Sequence, residues 1–320
     1  NQLTIFPDTI LSFPRLKIVL LNNNEISQIP SGIANLKNLT ALNLSYNQLT
    51  QLPNDFGQLQ NLTELDLGSN QLTHLPESFG KLQKLTVLEL FFNQFTQLPE
   101  GFGKLQNLTG LSLSDNQLTH LPESFGKLQN LTVLDLSINQ LTQLPESFGE
   151  LQKLNLLNLQ SNHLAQLPEG FGKLQNLMEI NLYNNQLTQL PESLSQLYNL
   201  TTLDLSGNQL TQLPDNLETV TSITILRALW NVWQEKTDSV TVDSLRLLHA
   251  DMARLNERLV QLLEQNGSDS DAADLCSLLA RSYLTSEQYQ QAESALEKGE
   301  ALEVENSYLK AIRPHLLLFQ

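Results

Sequence analysis

The chain has 320 residues, more than one compact core usually holds, so we expect either two domains or an array of repeats. Its formal net charge is −16 at pH 7, and acidic residues are in excess in both halves, which argues against nucleic acid as a partner. The single cysteine, Cys276, excludes an internal disulfide, and no apolar run is long enough to predict a membrane span. No signal peptide is visible, so the cytoplasm is favoured, with export left open because a signal before residue 1 would not be seen.

One residue type recurs at a fixed interval through most of the chain. Asparagine stands every 23 residues, at Asn24, Asn47, Asn70, Asn93, Asn116, Asn139, Asn162, Asn185 and Asn208. Leucines surround each asparagine in a constant frame, as Leu131, Leu134, Leu136 and Leu141 do around Asn139, and Leu-Pro and Phe-Gly pairs follow. This period predicts a repeat architecture in which units must stack to bury their apolar side chains.

The frame resembles that of the leucine-rich-repeat family. The 23-residue unit with its closing Leu-Pro-x-x-Phe-Gly-x-Leu is similar to the short repeats of bacterial Roco proteins and Scribble-type proteins, over residues 1 to about 231. The resemblance implies an α/β solenoid with a parallel sheet on its concave face. The residues lead to the same picture, because each unit offers one short Leu-x-Leu strand that stacking would pair with its neighbours. We expect the asparagines to satisfy backbone groups where each strand ends, and the Leu-Pro step to favour a tight return path over a long helix.

The ladder of asparagines also indicates where the array stops. Asn1 and Asn231 fall on ladder positions outside the nine complete units. Residue 1 therefore lies in an incomplete unit, and we expect the chain to begin inside a longer parent protein. Residues 213–233 follow a degenerate frame in which Trp233 replaces a leucine, which indicates a capping unit. We predict a solenoid domain over residues 1–233 and a small all-α domain over residues 234–320.

Beyond residue 233 the pattern becomes helical. Apolar residues three and four apart predict one helix face: Leu245, Leu248, Met252, Leu255, Leu259 and Leu262. A later set resembles the spacing of a tetratricopeptide hairpin: Leu279, Ala280, Tyr283, Tyr289, Ala292 and Leu296. A generic helical cap is the alternative, and self-association through the first stripe is left open.

The search for chemistry finds no catalytic motif. The phosphate-binding loop Gly-x-x-x-x-Gly-Lys-Ser/Thr is missing, and His74 and His120 stand two repeats apart, too far to share a metal at about 4.8 Å per strand. Cys276 raises one alternative, because a family of secreted bacterial ubiquitin ligases joins leucine-rich repeats to a helical domain with a catalytic cysteine. Those enzymes have Asp two residues after the cysteine, where this chain has Leu278, and the apolar neighbours predict a buried thiol. We predict a protein that is not an enzyme and needs neither metal nor cofactor.

Candidate binding residues stand beside the strand leucines, six, four, two and one positions before each ladder asparagine, where side chains should point out from the concave sheet. Seven of them are acidic and none is Lys or Arg: Glu64, Asp66, Glu89, Asp115, Asp135, Glu179 and Asp204. Seven large apolar residues accompany them: Tyr46, Phe91, Phe92, Val133, Ile138, Leu156 and Tyr183. The candidate site consists of the seven acids with Tyr46, Phe91, Phe92, Ile138 and Tyr183. We predict that these residues bind another protein with a basic or mixed-charge apolar surface. The alternatives are a merely solvated face, with aromatics folded onto neighbouring repeats, and an adhesin or host-directed effector that uses the same surface.

Overall fold

The computed structural model describes residues 2–211 and, beyond them, separate positions at 254, 255, 257, 258, 260, 261, 276, 291, 294, 295 and 298. The chain divides into two compact units, Asn1–Asp204 and Leu205–Gln320. The predicted capping unit, the tetratricopeptide-like segment and the boundary at residue 233 lie outside the described residues. The predicted domain division therefore stays a prediction.

Within residues 2–211 the chain forms nine strands of three residues each. They are β1 (Ile18–Leu20), β2 (Ala41–Asn43), β3 (Glu64–Asp66), β4 (Val87–Glu89), β5 (Gly110–Ser112), β6 (Val133–Asp135), β7 (Leu156–Asn158), β8 (Glu179–Asn181) and β9 (Thr202–Asp204). All are parallel and lie in chain order, and each residue pairs with the residue 23 positions further on, as Leu65 does with Leu88. The middle residue of every strand is buried and its two neighbours are more exposed, because side chains alternate across a strand.

Short 3₁₀ helices connect the strands on the opposite side of each unit. Their bounds are Asp8–Ser12, Ser31–Asn35, Phe56–Gln58, Glu77–Lys81, Glu100–Lys104, Glu123–Lys127, Glu146–Glu150, Glu169–Lys173 and Glu192–Gln196. All except Phe56–Gln58 begin directly after a proline. Proline fixes φ and has no N–H to leave unpaired at a helix start, so the Leu-Pro step gives the tight return path that the sequence predicted.

A stack of phenylalanines shows which side of the first unit is concave. Phe102, Phe125, Phe148 and Phe171 are fully buried, and successive rings lie nearly parallel with centroids 6.2–6.3 Å apart. Neighbouring strands of a sheet are closer, at about 4.8 Å. Repeats are therefore spaced more widely on the helical side, and the sheet lies on the concave side.

Beyond residue 211, the described positions of the second unit are all helical. Leu255, Val260 and Cys276 are buried, and Glu257 and Lys298 line a cavity of about 330 Å³ with Val260 and Ala295. Burial raises the pKa of Glu257, and the nearby Lys298 partly offsets that rise. Among the described residues, no helix combines the length and apolarity needed to cross a membrane.

Candidate functional site

The ladder asparagines hold the end of each strand in place. Asn116 is typical: its Oδ1 accepts from the Phe95 backbone N–H at 3.1 Å, and its Nδ2 donates to the carbonyls of Leu90 and Leu113, both at 3.1 Å. One amide thus links its own turn to the preceding repeat, and the side chain is buried. These contacts confirm the structural role that was predicted for the asparagines, which is to satisfy buried backbone groups.

The residue directly before each ladder asparagine adopts a left-handed backbone conformation. We call these positions the turn row: Asn23, Tyr46, Ser69, Phe92, Asp115, Ile138, Ser161 and Asn184, with φ between 52° and 57°, and Gly207, with φ 68°. Asn, Asp and Ser tolerate this region, whereas a β-branched residue such as Ile138 or a bulky one such as Phe92 is strained there. Four predicted site residues stand in this row: Asp115, and the apolar residues Tyr46, Phe92 and Ile138, which are 54%, 59% and 49% exposed.

The residues six and four positions before each asparagine, which we call the strand rows, lie on the strands themselves. Asp66 and Asp135 belong to the second of these rows, and each closes the turn after its strand. The Gly68 N–H donates to Asp66 Oδ1 at 3.0 Å, and the Ser137 N–H donates to Asp135 Oδ1 at 2.9 Å. Sequence reasoning treated these positions as free to vary and missed this local role. The signal available in the sequence was the Asn or Asp at the end of a strand, because these side chains accept a hydrogen bond from the backbone N–H two residues on.

The carboxylates of the strand rows influence one another. Glu89 lies on β4 between Asp66 on β3 and Asp135 on β6, and its side chain is half-buried. Burial, and secondarily the negative charges of Asp66 and Asp135, raise the pKa of the Glu89 carboxyl. The sheet face therefore carries a local concentration of negative charge.

Phe91 is not simply exposed. A Cβ added at Gly68 would come within 2.3–2.7 Å of the Phe91 ring, so this ring covers Gly68 of the preceding repeat. It also meets Tyr46, which lies one repeat before Gly68, edge to face, with centroids 6.3 Å apart. The expectation that some aromatics fold onto neighbouring repeats fits Phe91, whereas Phe92 beside it faces solvent.

The sheet face deepens towards β9. A depression of about 420 Å³ lies over β6 to β9. Val133 and Leu156 provide apolar walls and are 44% and 37% exposed, and Asp135, Glu179 and Asp204 provide carboxylates. Three predicted site residues are therefore brought together here. Glu64 lies further along the same face, on β3, and is exposed, and Tyr183 stands exposed in the turn after β8.

The basic residues of the solenoid lie away from the strand rows and the turn row. Lys81, Lys104, Lys127 and Lys173 lie in the 3₁₀ helices, and no Lys or Arg stands in the strand rows or the turn row. The residues that the structure describes contain no group of three or more His, Cys, Asp or Glu that could hold a metal. Cys276 is fully buried, as its apolar sequence neighbours predicted.

Comparison with protein families decides the identity of the first unit. A model described as a leucine-rich repeat region matches residues 4–115 and 103–185, and a leucine-rich-repeat model matches residues 167–210. The chain belongs to the leucine-rich-repeat family. Members of this family are typically interaction modules without catalytic activity. No curated protein matches the chain.

Solved leucine-rich-repeat structures share the fold. A leucine-rich-repeat protein of Leptospira interrogans is 36% identical, with a TM-score of 0.55, over 69% of this chain and 62% of that one. The leucine-rich-repeat domain of the type III effector XopL is 28% identical, with a TM-score of 0.59, over 66% of this chain and 76% of that one. The Arabidopsis receptor kinase HAESA, in complex with the peptide hormone IDA and the co-receptor SERK1, is 30% identical, with a TM-score of 0.57, over 64% of this chain and 36% of that one. The chain thus spans less than two thirds of the Leptospira and Arabidopsis structures.

Proposed function

We propose that the leucine-rich-repeat unit binds a partner protein or peptide on its acidic sheet face. The depression over β6 to β9 carries this proposal, because apolar walls at Val133 and Leu156 stand beside the carboxylates of Asp135 and Glu179. Such a surface suits a segment that combines basic and apolar side chains. The complex of the similar HAESA structure with a peptide hormone supports a binding role for the fold.

Two nearly identical repeats support the same surface. Residues 70–92 and 116–138 differ at only four positions. Three of the four differences, Glu89 to Asp135, Phe91 to Ser137 and Phe92 to Ile138, fall on the strand rows or the turn that follows them. Variation between otherwise matching repeats is thus concentrated on the proposed binding face.

The negative charge of this face exceeds what the fold requires. The turn after β6 needs an oxygen acceptor from residue 135, and the equivalent turns after β7 and β8 obtain it from the neutral amides of Asn158 and Asn181. Because an amide does the same local work, the charge of Asp135 is available for another purpose. The substitution Asp135→Asn therefore removes charge while keeping the turn.

A peptide selection tests the proposal. Random peptides displayed on phage would be selected for binding to the wild-type chain. The affinity of the selected peptides would then be measured on the double variant Asp135→Asn with Glu179→Gln. We expect the selected peptides to combine Lys or Arg with apolar residues. Their affinity should be about tenfold lower for the double variant, and it should weaken with added salt.

The matched control removes two charges from the opposite side of the same unit. Glu146→Gln with Glu169→Gln changes exposed carboxylates at the starts of two 3₁₀ helices and should leave binding unchanged. The acidic face would be refuted as the binding site if the selected peptides lacked basic residues. It would also be refuted if they bound both double variants as tightly as the wild type.

The second candidate function is that of a host-directed effector, or an adhesin, that uses the same face. The similarity to the leucine-rich-repeat domain of the type III effector XopL favours this candidate. The bacterial subtype predicted from the 23-residue unit would agree with it. Secretion of the full-length protein by a bacterial host, followed by immunoblotting of cell and medium fractions, would test it. The ubiquitin-ligase alternative needs an accessible thiol, whereas Cys276 is fully buried.

A further inference from the structure

The turn row has an alternation that the strand rows lack. From Tyr46 to Ile138, large apolar side chains occupy every second position, at Tyr46, Phe92 and Ile138, and polar residues stand between them at Ser69 and Asp115; the alternation ends there, because Asn184 is polar. The apolar members are about half exposed, in a left-handed backbone conformation that strains a bulky or β-branched residue. Tyr46 meets the Phe91 ring on one side, yet all three side chains keep a large exposed apolar surface.

The spacing of this row follows from hydrogen bonds. The Asn70 N–H donates to the Phe92 carbonyl at 3.2 Å and the Asn116 N–H donates to the Ile138 carbonyl at 3.1 Å, so the turns continue the pairing of the strands. Neighbouring members are therefore about 4.8 Å apart at the backbone, and members two repeats apart about 10 Å. The apolar groups form a line of three at that interval.

An α-helix matches this interval. Residues seven apart on a helix lie on nearly the same face and about 10.5 Å apart, and a residue three or four positions on falls midway between them. An extended strand alternates its faces every residue and has no matching repeat on one face. A polyproline helix repeats at about 9.3 Å, but its intervening residues point to other faces and would leave Asp115 without a counterpart.

We propose that the turn row docks an amphipathic helix of a partner protein, with apolar residues seven apart on Tyr46, Phe92 and Ile138 and a basic residue opposite Asp115. The charge argument extends beyond Asp115, because Glu89 and Asp135 of the strand rows flank the same stretch. The proposal deepens the proposed function, since it rests on the same unit being a protein-binding module and adds the kind of partner.

The chain's own leucine stripe is a poorer occupant. Leu255, one of its members, is fully buried. Residues 241–265 also contain three arginines against four acidic residues, so the segment lacks the basic character that the row favours. A second copy of this chain would carry the same stripe, so it is a poorer occupant than a basic helix, and the experiment below distinguishes the two.

A designed peptide tests the proposal directly. The probe is a fluorescent helical peptide of about three heptads, with leucines seven apart and lysines midway between them. Its control has the same composition with the leucines every fifth residue, which spreads them around the helix. We expect the first peptide to bind the full chain with a gain in helicity, and the control to bind at least about tenfold more weakly.

Variants locate the binding site. Phe92→Ser with Ile138→Ser introduces the residue that the row already carries at Ser69 and Ser161, and should weaken binding at least about tenfold. Asp115→Asn keeps a residue suited to the left-handed turn and should weaken it several-fold. Met178→Ser with Tyr198→Ser removes two exposed apolar groups outside the row and should change nothing.

Three results would overturn the proposal: equal binding of the two peptides, unchanged binding by the Phe92 and Ile138 double variant, or self-association of the wild-type chain that this variant abolishes. The last result would identify a second copy as the occupant. Failure of the acidic-face proposal would be seen separately, if the peptides selected on phage bound the double variant Asp135→Asn with Glu179→Gln as tightly as the wild type.

Discussion

At the scale of single residues, asparagine does work in this chain that other side chains could not share. Asn116 combines an accepting oxygen and a donating nitrogen, and it uses both towards backbone groups of two repeats. A hydroxyl is too short to bridge them, and a carboxylate has no donor. The regular recurrence of asparagine was therefore readable from the sequence as a structural device.

Asn116→Ala should lower the free energy of unfolding by roughly 2–3 kcal/mol, because the buried Phe95 N–H loses its acceptor, while the carbonyls of Leu90 and Leu113 each keep one donor, Asn93 or Asn139. Urea denaturation would measure the loss. Asn107→Ala is the matched control: its Nδ2 also donates to a carbonyl of the preceding repeat, at 2.7 Å, but at an exposed site. Its loss should stay near 1 kcal/mol. Equal losses would contradict the role assigned to burial.

Glu89 predicts a pH-dependent change in stability. Because its pKa is raised in the folded protein, the folded state disfavours the charged carboxylate, and this penalty acts above the ordinary value of 4.5. Glu89→Gln should therefore melt higher than the wild type at pH 7, and the difference should disappear as the pH falls below about 4.5. Thermal melts at both pH values would measure it.

Asp66 supplies the control for this effect. Asp66→Asn removes one of the charges that raise the pKa of Glu89, while the amide oxygen can still accept from the Gly68 N–H. In the Asp66→Asn background, Glu89→Gln should raise the melting temperature at pH 7 by less than it does in the wild type. A gain that is the same at both pH values would contradict the electrostatic explanation.

At the scale of elements, the 3₁₀ helices fit together as closely as the strands do. A Cβ at Gly149 would lie 2.4 Å from the carbonyl oxygen of Gly170 in the following repeat, so only glycine permits this approach. The Phe-Gly pair of the sequence therefore has two functions: the phenylalanine fills the core and the glycine lets the next repeat sit against it.

Gly149→Ala should destabilise the protein by roughly 1–3 kcal/mol, because the repeats must move apart to admit a methyl group. Gly110→Ala is a suitable control, since a Cβ there meets nothing within 4 Å and the residue lies in β5. It should be neutral or slightly stabilising. Chemical denaturation of both variants would decide, and a neutral Gly149→Ala would show that the repeats yield easily.

The elements also show how far sequence reasoning reached. The parallel sheet, the 23-residue register and the buried asparagines followed from periodicity, because each depends on contacts between equivalent positions. The left-handed turn at Phe92 and Ile138 did not, since neither residue type signals that conformation. Phe91 over Gly68 likewise depends on one small residue in a different repeat, which no period reveals. The twelve predicted site residues remain a prediction, now divided between strands and turns.

At the scale of the whole first unit, stability should be the sum of local units and their interfaces, because each repeat pairs only with its neighbours. Deleting one complete period should therefore leave a shorter folded solenoid. What changes is the distance between groups on either side of the deletion.

Deleting residues 94–116 removes Asp115, whose contribution the Asp115→Asn variant measures separately, and brings Ile138 into the repeat next to Phe92, at about 5 Å instead of about 10 Å. The heptad peptide should then bind at least about tenfold more weakly. Deleting residues 140–162 removes an equal length but keeps the Tyr46, Phe92 and Ile138 spacing, and should leave binding intact. Anisotropy titrations compare them, after circular dichroism has shown that both fold. Equal binding by the two deletions would count against the spacing argument.

The alternation of the turn row sets the step by which such a surface can grow. Residues 70–92 and 116–138 are the most alike across an interval of two repeats, and Phe92 and Ile138 end them. Copying genetic material for one repeat would put the apolar line out of phase with a helix, whereas copying two would extend it by one further heptad. The reach of this protein along a partner would then be counted in pairs of repeats, and its length could change without inventing a new contact.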